Sequence, residues 1–122
     1  MDSMATGGVT LGRDAERVEI ARVEGRPLAA PAQVRVLAET PRILMVEVTM
    51  PAGQGSPPHV HDHESVGYVV RGQVRAVIGG TTYDLGPGDA FRHPPGVEHE
   101  LTATGDADAA WLEIKSPPRR TW

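Results

Sequence analysis

The sequence predicts an all-β protein made of antiparallel strands, arranged as a sandwich or a barrel. Short segments in which polar and apolar residues alternate recur along the chain, as expected of half-buried strands. The 14 glycines and 11 prolines are spread over the 122 residues, where they separate these segments and leave little room for helices. About ten short strands at close, regular spacing in one small chain are typical of a sandwich or barrel.

The predicted strands follow one another with few residues between them. They comprise residues 16–23, 33–39, 42–50, 59–61, 65–71, 73–78, 81–85, 90–93, 99–103 and 109–115. The first of them could be mistaken for a helix, but Val18, Ile20 and Val23 fit a period of two better than a period of 3.6. Gly79 and Gly80 are typical of a two-residue hairpin turn between neighbouring strands.

The segment 42–50 predicts an association between copies of the chain. It is apolar on both faces, as a strand covered on both sides would be. Its second face needs cover, and residues 13–23 could extend the sheet of a neighbouring molecule. We therefore expect a homodimer.

The composition excludes several classes of protein. The chain has no cysteine, which excludes disulfides, cysteine-ligated zinc, iron–sulfur clusters and thiol nucleophiles. A net charge of -4 and a pI near 5.7 argue against a nucleic-acid partner. The apolar runs are too short to span a membrane, and the first residues show no basic start of a signal peptide. A cytoplasmic location is the expectation.

The chain is expected to form one domain. Residues 1–12 are predicted to be a flexible N-terminus and residues 13–115 to form the domain. Residues 116–122, which contain two prolines and two arginines, are predicted to be a C-terminal tail.

Three histidines form a candidate metal site. His59 and His61 stand at alternate positions, so that in an extended chain both imidazoles point to the same side. A Pro-Pro-Gly turn some thirty residues further on is followed by His99. Imidazole is the commonest neutral metal ligand. A site rich in histidine and poor in carboxylates suits one divalent transition metal per chain: Zn, Fe, Ni, Mn or Cu.

At these residues the chain resembles the cupins. The second motif of that family reads Gly, five residues, Pro-x-Gly, two residues, His, three residues, Asn. Gly88, Pro94, Gly96 and His99 keep every spacing, and Ala103 stands in place of the final Asn. The resemblance implies an antiparallel jelly-roll barrel, also called a double-stranded β-helix, and homodimers are common in the family.

The first motif of the family is present in part. It is anchored by His59 and His61 and ends at Gly72, but its opening glycine is out of register. Counting back from Gly72 places the usual acidic ligand at Ser65 or, with the alternative spacing, at Val66. Neither residue can serve as a carboxylate ligand.

Three further residues are candidates for proton transfer at the site. Glu64 stands one residue before the expected carboxylate, and alternation puts it on the opposite face from the histidines unless a bulge intervenes. It could be a fourth ligand, a group orienting an imidazole, or a solvated carboxylate. His63 shares the histidine face and could be a ligand, a general base or an exposed side chain. His93 shares a face with Phe91 and lines the cavity if Phe91 is inside.

The resemblance implies a metal-dependent function on small molecules. The favoured hypothesis is an isomerase, lyase or cyclase in which a His-ligated metal acts as a Lewis acid on a small oxygenated organic molecule. His63, Glu64 or His93 would then move the proton. One alternative is a metal-dependent dioxygenase, and another is a non-catalytic cupin that binds a small molecule.

Overall fold

A computed structural model of the chain describes residues 7–122. Within this range a short 3-10 helix, Gly12–Asp14, precedes nine strands. The strands are β1 (Glu16–Val23), β2 (Arg26–Glu39), β3 (Leu44–Met50), β4 (Glu64–Arg71), β5 (Val74–Ile78), β6 (Thr81–Leu85), β7 (Ala90–His93), β8 (His99–Ala103) and β9 (Ala109–Ser116). Of the flexible N-terminus predicted for residues 1–12, residues 1–6 lie outside the described range.

The strands form two antiparallel sheets. A six-stranded sheet has the order β1-β2-β3-β9-β4-β7, and a three-stranded sheet has the order β6-β5-β8. Inward-facing apolar side chains from both sheets form one core, in which the aliphatic side chains of Leu44, Val46, Val69 and Val74 are completely buried. The all-β fold predicted from the sequence, an antiparallel jelly-roll barrel, is confirmed.

Strand β2 is longer than predicted, because it begins at Arg26 and not at residue 33. Its first part pairs with β1 alone, and pairing with β3 starts only at Gln33. Pro27 and Pro31 lie in this first part. A proline cannot donate to a strand ladder, so it is tolerated where one side of the strand is unpaired. Because prolines usually separate strands, the sequence did not indicate that this strand begins at Arg26.

Strand β3 is buried on one face only. Its residues alternate between buried and half-buried, with Val46 and Val48 inside and Met45 on the outer face. On the outer face, the Glu47 carboxylate forms an ion pair with the Arg35 guanidinium at 2.9 Å. The prediction of a strand buried on both sides is wrong for the single chain.

The segment between β3 and β4 runs along β8 without forming a regular strand. Gly55 bridges Thr102, and His59 bridges His99. The backbone N–H of His59 donates to the carbonyl of His99 at 3.0 Å, and the reciprocal bond has the same length. The strand predicted for residues 59–61 is thus reduced to a single bridge, and that bridge places two histidines opposite one another.

The residues after β9 fold back against the turn between β1 and β2. The backbone N–H of Glu24 donates to the carbonyl of Thr121 at 2.9 Å. The Lys115 ammonium donates to the Thr121 hydroxyl at 3.1 Å, and Trp122 packs against the core. Within residues 7–122 there is no helix with the length and apolar character that a membrane span requires.

Candidate metal centre

All five histidines of the chain lie in one buried cluster. The ring of His61 contacts those of His59, His63 and His99, with centroids 4.4–4.8 Å apart. The rings of His59 and His99 are 4.3 Å apart, and the ring of His93 stacks on that of His99 at 3.7 Å. The exposed fraction of each residue is 6% or less. The fold therefore brings together both segments from which the sequence predicted ligands.

The position of His61 is fixed by the turn that precedes β8. The backbone N–H of Gly96 donates to the carbonyl of His61 at 2.9 Å. Gly96 has a φ of +77°, in the left-handed region that a residue with a Cβ avoids. The Pro-Pro-Gly sequence thus shapes a turn that holds His61 and delivers His99 to the same place.

Backbone carbonyl groups fix the tautomers of two candidate ligands. The Nδ1 atom of His59 lies 2.7 Å from the carbonyl oxygen of Pro57, and the Nδ1 atom of His99 lies 3.1 Å from that of Val97. A carbonyl oxygen can only accept, so in both rings Nδ1 carries the proton and donates it. The lone pair of Nε2 is left for another partner.

His61 has the same arrangement with a carboxylate in place of a carbonyl. Its Nδ1 atom lies 2.7 Å from Oε1 of Glu24, in the turn between β1 and β2. The carboxylate accepts and Nδ1–H donates, so Nε2 of His61 is free as well. Metal-binding histidines usually donate their second ring N–H to a carbonyl or a carboxylate in this way.

The three histidines fit a metal ion. One ring nitrogen from each of His59, His61 and His99 lies within 4.8 Å of the corresponding atoms of the other two. Zn–N bonds are about 2.0–2.1 Å long, so small side-chain shifts bring all three atoms to one ion. Three neutral nitrogen donors suit a borderline divalent transition metal better than Mg²⁺ or Ca²⁺.

The interior keeps two of the candidate ligands, His61 and His99, neutral, as metal binding requires. Burial, followed by the nearby imidazole of His59, lowers the pKa of His61 from 6.5 to about 3. Burial also lowers the pKa of His99 to about 4, although the carbonyl of Val97 opposes this shift. At neutral pH both rings therefore offer a lone pair without first losing a proton.

Two of the candidate proton carriers have buried ring nitrogens without a hydrogen-bond partner. His63 and His93 are each 1% exposed. Neither ring nitrogen of His63 has a partner, and Nε2 of His93 has none. Nδ1 of His93 lies 3.4 Å from the Ser65 hydroxyl. Phe91 is inside as well, and burial lowers the pKa of His93 to about 3.

Glu64 is not brought to the cluster. Its side chain is exposed at the beginning of β4, while the neighbouring Ser65 and His63 point inward. The register of β4 is regular from Glu64 to Val69 against β9 and from Ser65 to Tyr68 against β7, so no bulge lies next to Glu64. The alternation of the strand therefore sends the carboxylate to the outer face, as the sequence indicated in the absence of a bulge.

A buried ion pair lies on the inner face of β9, and the sequence reasoning did not find it. Nε1 of Trp111 donates to Glu113 at 2.9 Å, and the Lys115 ammonium lies 3.9 Å from the other carboxylate oxygen. Burial opposes ionisation of Glu113. Lys115 first, and then His93 and the Trp111 N–H, outweigh burial and hold the pKa of this carboxyl below its ordinary value. Glu113 is therefore an anion inside the barrel.

Strand alternation is the signal that could have found this pair. Trp111, Glu113 and Lys115 occupy alternate positions of one strand. Placing Trp111 inside requires the two charged residues to be inside as well.

The cluster connects an inner cavity with an outer cleft. A narrow cavity of about 50 Å³ is lined by His59, His61 and His99 and by Glu113 and Lys115. His61 also faces a wider cleft at the surface. The charged residues of that cleft are Arg22, Glu24, Asp62, Arg119 and Arg120. His61 therefore lines both spaces.

The barrel and its histidine-rich site are characteristic of one class of small β-proteins, and the comparison with known families agrees. The family model of the cupin domain matches residues 46–115, which is more than half of the chain. The chain belongs to the cupin domain family. The resemblance described from the two motifs is confirmed. No functionally curated protein matches the sequence.

Several solved structures are similar to this chain over almost its whole length. KdgF from Halomonas sp. is 27% identical, with a TM-score of 0.79, and the match covers 93% of this chain and 96% of KdgF. An RmlC-like cupin from Shewanella frigidimarina is 23% identical, with a TM-score of 0.78 and 92% of each chain covered. The polyketide cyclase RemF from Streptomyces resistomycificus is 24% identical, with a TM-score of 0.75, and the match covers 93% of this chain and 84% of RemF.

Proposed function

We propose that the protein is an enzyme in which His59, His61 and His99 hold one divalent metal ion that acts on a small oxygenated organic molecule. The proposed reaction is redox-neutral: an isomerisation, an elimination or a cyclisation. The observation that carries the proposal is the five-imidazole cluster. Three rings have their Nδ1–H engaged, and two others have buried nitrogens without a partner.

The metal would supply the electrophile. When bound, a divalent ion polarises a carbonyl or hydroxyl oxygen of the substrate and makes the neighbouring C–H proton more acidic. Zn²⁺, Ni²⁺ and Mn²⁺ are the ions we favour, because they support this chemistry without a change of oxidation state and accept nitrogen donors.

His93 is the residue that we assign to proton transfer. Its ring is neutral and its Nε2 atom is buried without a hydrogen-bond partner, so in the Nδ1–H tautomer Nε2 can accept a proton from a bound molecule. Burial works against the imidazolium that would form, whereas the Glu113 carboxylate raises the pKa of His93 and favours it. His63, whose two ring nitrogens are also unpaired, is a second carrier. Glu64 has no part in this assignment, because its side chain is on the outer face.

Proton exchange tests the proposal without knowledge of the natural substrate. The protein, loaded with Zn²⁺, Ni²⁺ or Mn²⁺, is incubated in D₂O with a panel of small α-hydroxy and α-keto acids and sugars. Loss of a C–H signal in the proton NMR spectrum is followed over time. We expect exchange with the wild type, none with His61→Ala, and a strongly reduced rate with His93→Gln in spite of full metal content.

Two other outcomes would favour the alternatives. Oxygen consumption by the iron-loaded protein, with no proton exchange for any metal, would indicate a dioxygenase. Ligand binding without exchange or oxygen consumption would indicate a non-catalytic binding protein.

We also propose that two copies of the chain associate through the outer face of the six-stranded sheet. Val66, Tyr68 and Val70 are 43%, 48% and 40% exposed on this face, and Ile43 is 45% exposed. Clustered exposed apolar side chains favour association. Light scattering should give twice the mass of 13.0 kDa, and Tyr68→Glu should lower it to the monomer mass. Tyr83 is an equally exposed tyrosine on the other sheet, and Tyr83→Glu should leave the mass unchanged.

The cytoplasmic location stays a prediction, which cell fractionation tests.

A further inference from the structure

The turn between β1 and β2 has a backbone conformation that its first residue does not favour. It consists of Glu24 and Gly25, with φ angles of +49° and +75°. Two-residue turns with two positive φ angles favour Asn, Asp or Gly at the first position. Glu24 is the one residue with a positive φ among the described non-glycine residues. Non-glycine residues with a strained, positive φ are found preferentially at functional sites.

The side chain of Glu24 reaches the candidate metal site. Its Oε1 atom accepts the hydrogen bond from Nδ1 of His61 at 2.7 Å. The side chain of His61 is 4% exposed, and that of Glu24 is 36% exposed. The backbone of Glu24 is held from the other side, because its N–H donates to the carbonyl of Thr121 at 2.9 Å. Both ends of the residue are therefore fixed.

The charges around the cluster give this carboxylate a second role. Three neutral imidazoles leave the charge of a divalent cation uncompensated inside the barrel. Glu113 is an anion, but Lys115 lies 3.9 Å away and offsets it. Within residues 7–122, no lysine or arginine lies within ion-pair distance of the Glu24 carboxylate. Its one ion-pair partner among these residues is His61, and its charge also acts on the neighbouring His63.

We propose that Glu24 is a positioning residue of the metal centre. Its carboxylate holds His61 in the Nδ1–H tautomer, directs Nε2 towards the ion, and contributes negative charge to the site through the imidazole. The distortion of the hairpin turn places the carboxylate at this point. This inference rests on the proposed function, because it requires that His61 binds a metal.

Zinc affinity and a cobalt spectrum test the role of Glu24. Glu24→Gln keeps the length of the side chain and removes its charge. In Glu24→Asn, asparagine tolerates the left-handed backbone, but its side chain is too short to reach His61. We expect both substitutions to raise the Kd for Zn²⁺ by about 10–100-fold and to shift the visible bands of the Co²⁺-loaded protein. The melting temperature of the metal-free protein should change little.

Glu19→Gln is the matched control. Glu19 lies on the same hairpin, is exposed, and accepts a hydrogen bond from Gln33 at 3.1 Å, away from the histidines. Its substitution removes one negative charge from the same region. It should change neither the Zn²⁺ affinity nor the Co²⁺ spectrum.

Three results would overturn the inference. A wild-type Kd and Co²⁺ spectrum in both Glu24 variants would show that the carboxylate does not influence the centre. A second bound Zn²⁺ that depends on Glu24 and His63 would make Glu24 a ligand. Absence of metal binding in the wild type would refute the proposed function itself, and the inference with it. The wild-type measurement therefore distinguishes the two failures.

Discussion

Ser65 is the residue at which this chain departs most from the motif it otherwise follows. It is 1% exposed and lies between His93 on β7 and Lys115 on β9 in the strand register. A serine is too short and too weak a donor to replace a carboxylate ligand. The carboxylates near the cluster are instead Glu113, on the neighbouring strand and beside Lys115, and Glu24, in the hairpin turn. The acidic groups are present, but they stand on other elements.

Substitution of the candidate ligand His61 should lower metal binding, whereas substitution of Ser65 should not. His61→Ala removes one of three nitrogen donors, so metal affinity should fall by orders of magnitude, while the circular dichroism of the barrel stays the same. Ser65→Ala should leave the metal content unchanged. Inductively coupled plasma mass spectrometry, on protein purified without a metal-affinity column, measures both. Loss of metal in Ser65→Ala would show that our interpretation of the first motif is wrong.

The pKa values of the histidines predict how the stability of the metal-free protein depends on pH. The pKa is about 3 for His61 and His93 and about 4 for His99 in the folded protein, against 6.5 for an unperturbed histidine. As the pH falls below 6.5 the unfolded chain binds protons that the folded chain does not. Stability is therefore fully present above pH 6.5 and is lost between pH 6.5 and about 4 to 3.

Urea unfolding at pH 8, 7, 6 and 5 measures this effect. Each such histidine lowers the free energy of unfolding by at most about 1.4 kcal/mol per pH unit within the window. His93→Gln should make the decline less steep. A free energy of unfolding that is constant from pH 7 to pH 5 would contradict the buried, neutral state of these rings.

The sequence predicted part of the candidate site, and the reasons differ from residue to residue. His59 and His61 could be grouped by alternation along one short segment, and the turn motif placed His99 with them. Glu113 was within reach of the same reasoning but was overlooked. Glu24 could not be found, because its contact with His61 joins residues that are distant in sequence and depends on the path of a hairpin turn.

At the scale of elements, the approach of the loop before β4 to β8 places His59. A Cβ atom added to Gly55 would lie 2.5 Å from the Thr102 hydroxyl and 2.7 Å from the carbonyl of Leu101. The backbone carbonyl cannot move without disturbing β8. The absence of a side chain at Gly55 is therefore a condition for the bridge between His59 and His99.

Gly55→Ala should accordingly weaken the metal site although no ligand is changed. We expect a loss of about 1–3 kcal/mol in the free energy of unfolding and a higher Kd for Zn²⁺. Gly105→Ala is the control, because a Cβ there meets nothing closer than 3.6 Å. An unchanged Zn²⁺ affinity in Gly55→Ala would show that the loop can shift without moving His59.

The strands were predictable to different degrees for a physical reason. Segments with one buried face, such as β7 and β8, have the alternation and the turns that mark a strand, and their predicted bounds are those of the structure. The first part of β2 has prolines and alanines where a paired strand would have β-branched residues. This part pairs with β1 alone, and such pairing depends on the tertiary structure, so the local sequence does not predict it.

At the scale of the whole molecule, the C-terminal residues attach to the β1–β2 hairpin and to the core. Arg120 forms ion pairs with Glu16 on β1 and Glu39 on β2, at 3.0 and 3.1 Å. Trp122 packs against the core, and the Lys115 ammonium lies 5.6 Å from the centre of its ring. The segment thus lies over the inner cavity and contacts the hairpin that carries Glu24.

Removal of the Trp122 ring should expose the interior. Trp122→Phe leaves Trp111, which is 2% exposed, as the remaining tryptophan and keeps an aromatic ring at position 122. Trp122→Ala removes that ring and should cost about 1–2 kcal/mol of stability. Acrylamide should quench Trp111 fluorescence more strongly in Trp122→Ala than in Trp122→Phe. Equal quenching would show that Trp122 does not shield the cavity.

The confinement of every histidine to one cluster gives the protein an unusual isotopic property. Histidine labelled with ¹⁵N in the ring marks five imidazoles and nothing else in the chain, and all five lie in one buried cluster. The ring resonances of the nitrogen spectrum therefore contain no background from the surface. Each tautomer, each proton taken up and each ion admitted would change a signal that originates in the centre itself.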